Sequence, residues 1–82
     1  MTPYKSIIVR YADRSILVRC KVKSVESGKQ FTRVFVPYSL AVMHGPELSG
    51  DGILDRPFSS AIAVRVAVKR AIRRGGFNND MA

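Results

Sequence analysis

The chain has 82 residues, 46% of them hydrophobic, and its 14 Lys and Arg against 6 Asp and Glu leave a formal net charge of +8. That length allows one small core burying about 60% of the unfolded surface, and the composition is that of a folded chain. The single cysteine, Cys20, excludes an internal disulfide and with it a secreted disulfide scaffold.

The opening residues, Met1 to Ser6, hold no apolar run of signal-peptide length. The longest stretch without Asp, Glu, Lys or Arg, residues 34–46, falls short of the roughly 20 residues that span a bilayer. A soluble cytoplasmic protein is expected, formed as one domain over residues 1–76 with a flexible tail at 77–82.

The first 36 residues read as strands. Ser6 to Tyr11 is the first, and Asp13-Arg14 makes the turn after it. Ser15 to Lys23 alternates Ile16, Val18, Cys20 and Val22 with Leu17, Arg19, Lys21 and Lys23, the period of a sheet with one face buried. The next turn, Glu26-Ser27-Gly28-Lys29, contains a glycine able to take positive φ, and Gln30 to Val36 follows as a third strand. Pro37 is expected to end that strand, because it cannot donate to a ladder. Residues 37–44 fit either a short helical turn or an edge strand. Three glycines and two prolines between Gly45 and Pro57 predict a mobile loop, whose charges begin with the acids Glu47, Asp51 and Asp55.

Ser59 to Arg74 satisfies two periods. As a strand, Ile62, Val64, Val66 and Val68 alternate with Ala61, Ala63, Arg65, Ala67 and Lys69. As a helix, a serine caps the start, Gly75 ends it, and Ala61, Val64, Ala67, Val68, Ala71 and Ile72 form one stripe. Its length and its alanines favour the helix. Ile62 and Val66 then fall off the stripe and must pack on the connector or on a partner. The expected fold is α+β: a three-stranded antiparallel meander, an irregular acidic connector, and one C-terminal α-helix packed on the sheet. In architecture alone this is similar to small β-β-β-α modules that lay a sheet face into a DNA groove, such as integrase arm-binding and AP2-type domains; no sequence motif is shared.

Eight of the basic residues lie between Lys5 and Arg33 and five between Arg65 and Arg74. Two cationic surfaces of this kind attract polyanions, of which nucleic acids, DNA or RNA, are the commonest inside cells. With Ile7, Val9 and Tyr11 inward on the first strand and Thr32, Val34 and Val36 inward on the third, the outer face carries Arg10, Arg19, Lys21, Lys23 and Arg33. Phe31 and Phe35 join them there, as platforms on which unpaired bases stack. The opposite assignment, with the two rings in the core and Thr32, Val34 and Val36 outside, is equally consistent with the pattern. On the helix, Arg65, Lys69, Arg70, Arg73 and Arg74 fall on the polar half and can lie along a phosphate backbone. One or two of them would suffice to offset the helix dipole. Plain solvated faces account for the same charges without a ligand.

No catalytic constellation stands out. His44 is the only histidine, and Pro46, Gly50 and Gly52 prevent a regular helix from aligning Glu47, Asp51 and Asp55 round a metal ion. Neither a Gly-rich phosphate loop nor Cys/His zinc spacing occurs. Cys20, alternating with Val18 and Val22, is expected to be an inert buried thiol. The expectation is a non-enzymatic nucleic-acid-binding accessory protein, without cofactor, metal or membrane contact. The rival is a protein-binding modulator that docks on an acidic protein surface, the profile of phage- or mobile-element-encoded inhibitors of host defence, anti-CRISPR proteins among them. A homodimer through an uncovered third strand is a further expectation.

Overall fold

The computed structural model describes residues 3–75. Strands β1 (Tyr4–Tyr11), β2 (Arg14–Ser27), β3 (Gln30–Val42) and β4 (Glu47–Leu48) form one antiparallel sheet in the order β1-β2-β3-β4. Helix α1 (Ala61–Arg73) covers one face of it. The α+β class agrees with the sequence, but the sheet has four strands rather than three. The expected tail at 77–82 lies outside the described residues.

Two tight loops set the register. Tyr11 pairs with Arg14 and Ser27 with Gln30, so each hairpin closes through two residues. Gly28 opens the second loop at φ +62, a conformation it adopts without steric cost. Ala12 opens the first at φ 56, where its Cβ crowds the following carbonyl. Relief of that crowding outweighs the extra freedom glycine has when unfolded, so Ala12→Gly is expected to stabilise the fold by about 0.5–1 kcal/mol. Thermal unfolding checks this as a rise of a few degrees in Tm, and a fall would show that the loop is not left-handed in solution.

The third strand runs through Pro37 instead of stopping there. Arg19 pairs with Ser39 and Cys20 with Pro37, which leaves Tyr38 as the extra residue of a bulge. Phe35 turns its backbone away from β2, exchanging two 2.8 Å hydrogen bonds with Phe58. Pro37, two residues on, faces the same way: its carbonyl accepts from the Asp55 N–H at 2.8 Å. Its missing N–H therefore falls on the side where β2 requires no bond, which is why the strand tolerates it.

The bulge and the loop register also correct the faces of β3. Phe35 lies opposite Val22 and packs against the core, as do Leu40 and Val42 beyond the bulge. Thr32, Val34 and Val36 point to the other face. Ile7, Val9, Ile16, Val18 and Cys20 lie inward as expected and are fully buried.

Over this layer the helix lays Val64 and Val68, both fully buried, flanked by Ala61, Ala67, Ala71 and Ile72. Small side chains let the helix sit close to the sheet. The Ser60 hydroxyl accepts from the Ala63 N–H at 3.1 Å and fixes the helix start. Nearest to the helix is β1, and the Arg65 Nε donates to the Ile8 carbonyl at that strand's outer edge, 3.2 Å away. The connector is anchored as well: Leu48, Ile53 and Phe58 are buried. Gly50, at φ +67, is closed in by Leu54 and Leu40. The third strand is not uncovered along its whole length. From Phe35 onward its outer side meets Phe58, Asp55 and β4.

Candidate nucleic-acid interface

Among the described residues, no element covers the sheet face opposite the helix. Register places Tyr4, Ser6, Ile8 and Arg10 of β1 on it, with Leu17, Arg19, Lys21, Lys23 and Val25 of β2. Thr32, Val34, Val36, Tyr38, Ser39 and Ala41 of β3 complete it. Arg19, Lys21 and Lys23 are all exposed and recur every second residue, a column of cations about 14 Å long. Arg19 stands between Ser6 and Ser39 and lines a shallow cleft with Leu17, Ala41 and Glu47. Lys21 stands between Tyr4 and Val36, with its Nζ 6.0 Å from the centre of the Tyr38 ring. The Tyr4 and Tyr38 rings meet edge to face at 5.8 Å. Among the described residues the acid on this face is Glu47, at the β4 margin.

This arrangement keeps Arg10, Arg19, Lys21 and Lys23 together and removes the other three expected members. Arg33, Phe31 and Phe35 belong to the opposite side of the sheet. Phe35 is partly buried against the core, and Arg33 lines an open cleft of about 530 Å³ with Lys5, Val22 and Phe35. Phe31 is exposed but beyond the end of β1, away from the cationic column. The aromatic rings that do accompany the cations are Tyr4 and Tyr38. Tyr38 was concealed from strand periodicity because it occupies the bulge.

The helix cations form a separate surface behind the sheet. Arg65, Arg70, Arg73 and Arg74 are exposed and Lys69 is half-buried, but Arg65 is tied to the β1 edge. Arg70 and Arg74 line a shallow cleft of about 500 Å³ between helix and connector, together with Arg56, Phe58, Val66 and Asp51. The Arg56 guanidinium lies 5.7 Å from the Phe58 ring centre. Arg56 is a lone cation in a loop, and only the fold brings it to the helix. Ile62 is 69% exposed, with no apolar cover among the described residues, while Val66 borders the cleft. The helix and sheet-face cations thus point to opposite sides of the molecule, and one straight duplex meets one set or the other.

Among the described residues no three of His, Cys, Asp and Glu gather closely enough to hold a metal ion. No helix among them is long and apolar enough to cross a membrane. Cys20 is fully buried, and desolvation pushes its thiol from 9.0 up to about 11. At pH 8 that makes the thiolate about a hundredfold scarcer than in the open chain, so native labelling should be slow and should accelerate on unfolding. The sign of the pH effect follows. Between pH 9 and 11 the unfolded chain loses this proton first, so stability falls as pH rises, by about 2–3 kcal/mol in all. Denaturant titrations of Cys20→Ala beside the parent should show that the variant lacks this component; equal alkaline losses would place the thiol in contact with water.

No protein-family model, curated protein or solved structure matches the chain.

Proposed function

We propose that this protein binds nucleic acid, DNA or RNA, along the phosphate backbone, without catalysis, through the uncovered sheet face. One observation carries the reading. Arg19, Lys21 and Lys23 form an exposed column beside Tyr4 and Tyr38, on a face where Glu47 is the acid. Cations in such a row neutralise phosphates and release the counterions condensed on them, and the binding that results is strong at low salt and tolerant of sequence. The two tyrosines offer surfaces to bases or sugars next to the bound backbone. The helix cations Lys69, Arg70, Arg73 and Arg74, with Arg56, are a second backbone surface of lower rank, because Asp51 shares their cleft.

The test is a titration of the wild-type protein against duplex and single strand at several salt concentrations. Log affinity should fall with log salt by about 0.9 per duplex phosphate neutralised, or about 0.7 on a single strand, for a total near three or four. A flat salt response, or no binding at low salt, would sink the proposal.

Ile62 and Val66 support a second reading. They stand one helical turn apart, 69% and 47% exposed, with Lys69, Arg70 and Arg73 beside them. Apolar anchors ringed by steering charges suit an acidic protein surface, such as part of a nucleic-acid machine that this chain would modulate. That interface would be less sensitive to salt and would be lost in Ile62→Ala and Val66→Ala.

A further inference from the structure

The β2–β3 hairpin outruns the rest of the sheet. Strand β1 begins at Tyr4, opposite Lys21, and the last tie of β3 to the body is the Phe35–Phe58 pair. Residues 23–34 therefore form a two-stranded arm that projects about 17 Å from Val22 and Phe35 to its tip. The molecule measures 46 Å along its longest axis against 25 and 19 Å across. Every side chain from Lys23 to Arg33 is exposed, on both faces of the ribbon. With no core under it, the arm still carries Val25 at 47% and Phe31 at 74% exposure. Isolated ribbons of this kind are marginal in water, so nothing among the described residues explains its length. Its charges are Lys23, Lys29 and Arg33 against Glu26.

We propose that this arm enters the major groove of duplex DNA and reads bases there, while the sheet face holds the backbone; the inference rests on the binding role of that face. Charge selects a polyanion, and size selects the groove. Two strands lie about 4.8 Å apart and, with their side chains, fill a groove about 12 Å wide, which admits a two-stranded ribbon, whereas one of about 6 Å does not. Continuity supports the placement, since Lys23 extends the column of Arg19 and Lys21 directly onto the arm. Entering tip first, the ribbon turns Lys23 toward the phosphates of one groove wall; on its other side Arg33 offers a planar fork that matches O6 and N7 of guanine, and the Phe31 ring offers apolar contact to a thymine methyl group. The arm thus supplies base discrimination, which the cation column lacks.

Anisotropy titrations of the full chain, Phe31→Ala and Arg33→Ala test this. The probes are a duplex of about 20 base pairs, its single strand, the same duplex with glucosylated hydroxymethylcytosine filling the major groove, and the plain duplex carrying distamycin in the minor groove. Each variant should lose about tenfold in duplex affinity and little on the single strand. The glucosylated duplex should bind the parent as weakly as the plain duplex binds the variants, and distamycin should change nothing. Both side chains are solvent-exposed, so circular dichroism should show an unchanged fold. If both variants bind duplex like the parent while Arg19→Glu/Lys21→Glu does not, the arm proposal is overturned and the sheet-face reading stands. Displacement by distamycin, or a dimer that Phe31→Ala dissociates, would also overturn it. A parent that binds neither duplex nor single strand overturns both readings.

Discussion

Arg19→Glu combined with Lys21→Glu lowers affinity for nucleic acid by about a hundredfold at roughly 0.1 M salt. An exposed ion pair contributes up to about 1 kcal/mol, and reversing the charge replaces attraction with repulsion of similar size. Two such positions give about 3 kcal/mol, and every 1.4 kcal/mol is tenfold. The salt slope should flatten by about 1.8 on duplex, because two phosphate contacts are gone. Little folding energy is at stake, since both side chains are exposed; Arg19 has Ser6 and Ser39 across the strands and shares a cleft with Glu47. Lys21 gives up its contact with the Tyr38 ring, a loss of about 0.5–1 kcal/mol. The matched control is Arg70→Glu with Arg73→Glu on the far side of the molecule. It changes net charge equally, so equal losses in the two variants would mean that only overall charge matters and that the sheet face is no site.

Leu40→Ala should cost about 3–5 kcal/mol, enough to leave a domain of this size largely unfolded. Leu40 is fully buried, opposite Val18 on one side and Leu48 on the other. A Cβ built on Gly50 would lie 3.2 Å from its Cδ1, so connector backbone closes over it. Truncation leaves a cavity that neither a two-residue strand nor a glycine turn can collapse to fill. Denaturant unfolding measures the loss, with Ile62→Ala as the surface comparison at within about 0.5 kcal/mol. A cost below about 1 kcal/mol for Leu40→Ala would mean that the connector does not seal this end of the core in solution.

The α+β arrangement and the inward side of β2 were legible in the sequence because each rests on a periodicity several residues long. Ile16, Val18 and Cys20 alternate with Leu17, Arg19 and Lys21, and Ser60 with Gly75 brackets the helical stripe. The face of β3 was ambiguous, since Thr32-Val34-Val36 is as plausible a buried row as Phe31-Arg33-Phe35. Turn arithmetic could have decided it. A two-residue loop at Gly28-Lys29 pairs Ser27 with Gln30, which sets Phe35 opposite Val22, already placed inward. Pro37 concealed the rest of β3, because whether a proline breaks a strand depends on which neighbour its nitrogen faces. Strand β4 is too short for any period to register. Of the candidate site, Arg10, Arg19, Lys21 and Lys23 were readable from alternation alone. Tyr4, Tyr38 and Arg56 were not, since their partners lie across strands or across the connector.

The strand edges bear on how copies of this protein behave in a crowd. Among the described residues, strand β1 pairs with β2 on one side only, and no further strand pairs with either strand of the arm. Edges of this kind invite sheet-to-sheet joining. Lys5 and Arg10 stand along one of them, and Lys23, Lys29 and Arg33 along the other, on a chain of net charge +8. Mutual repulsion therefore keeps free molecules apart, and whatever neutralises those cations removes the restraint as it binds. Solubility should then be lowest where added polyanion just cancels the protein's charge, with turbidity appearing at that ratio and clearing when either component is in excess.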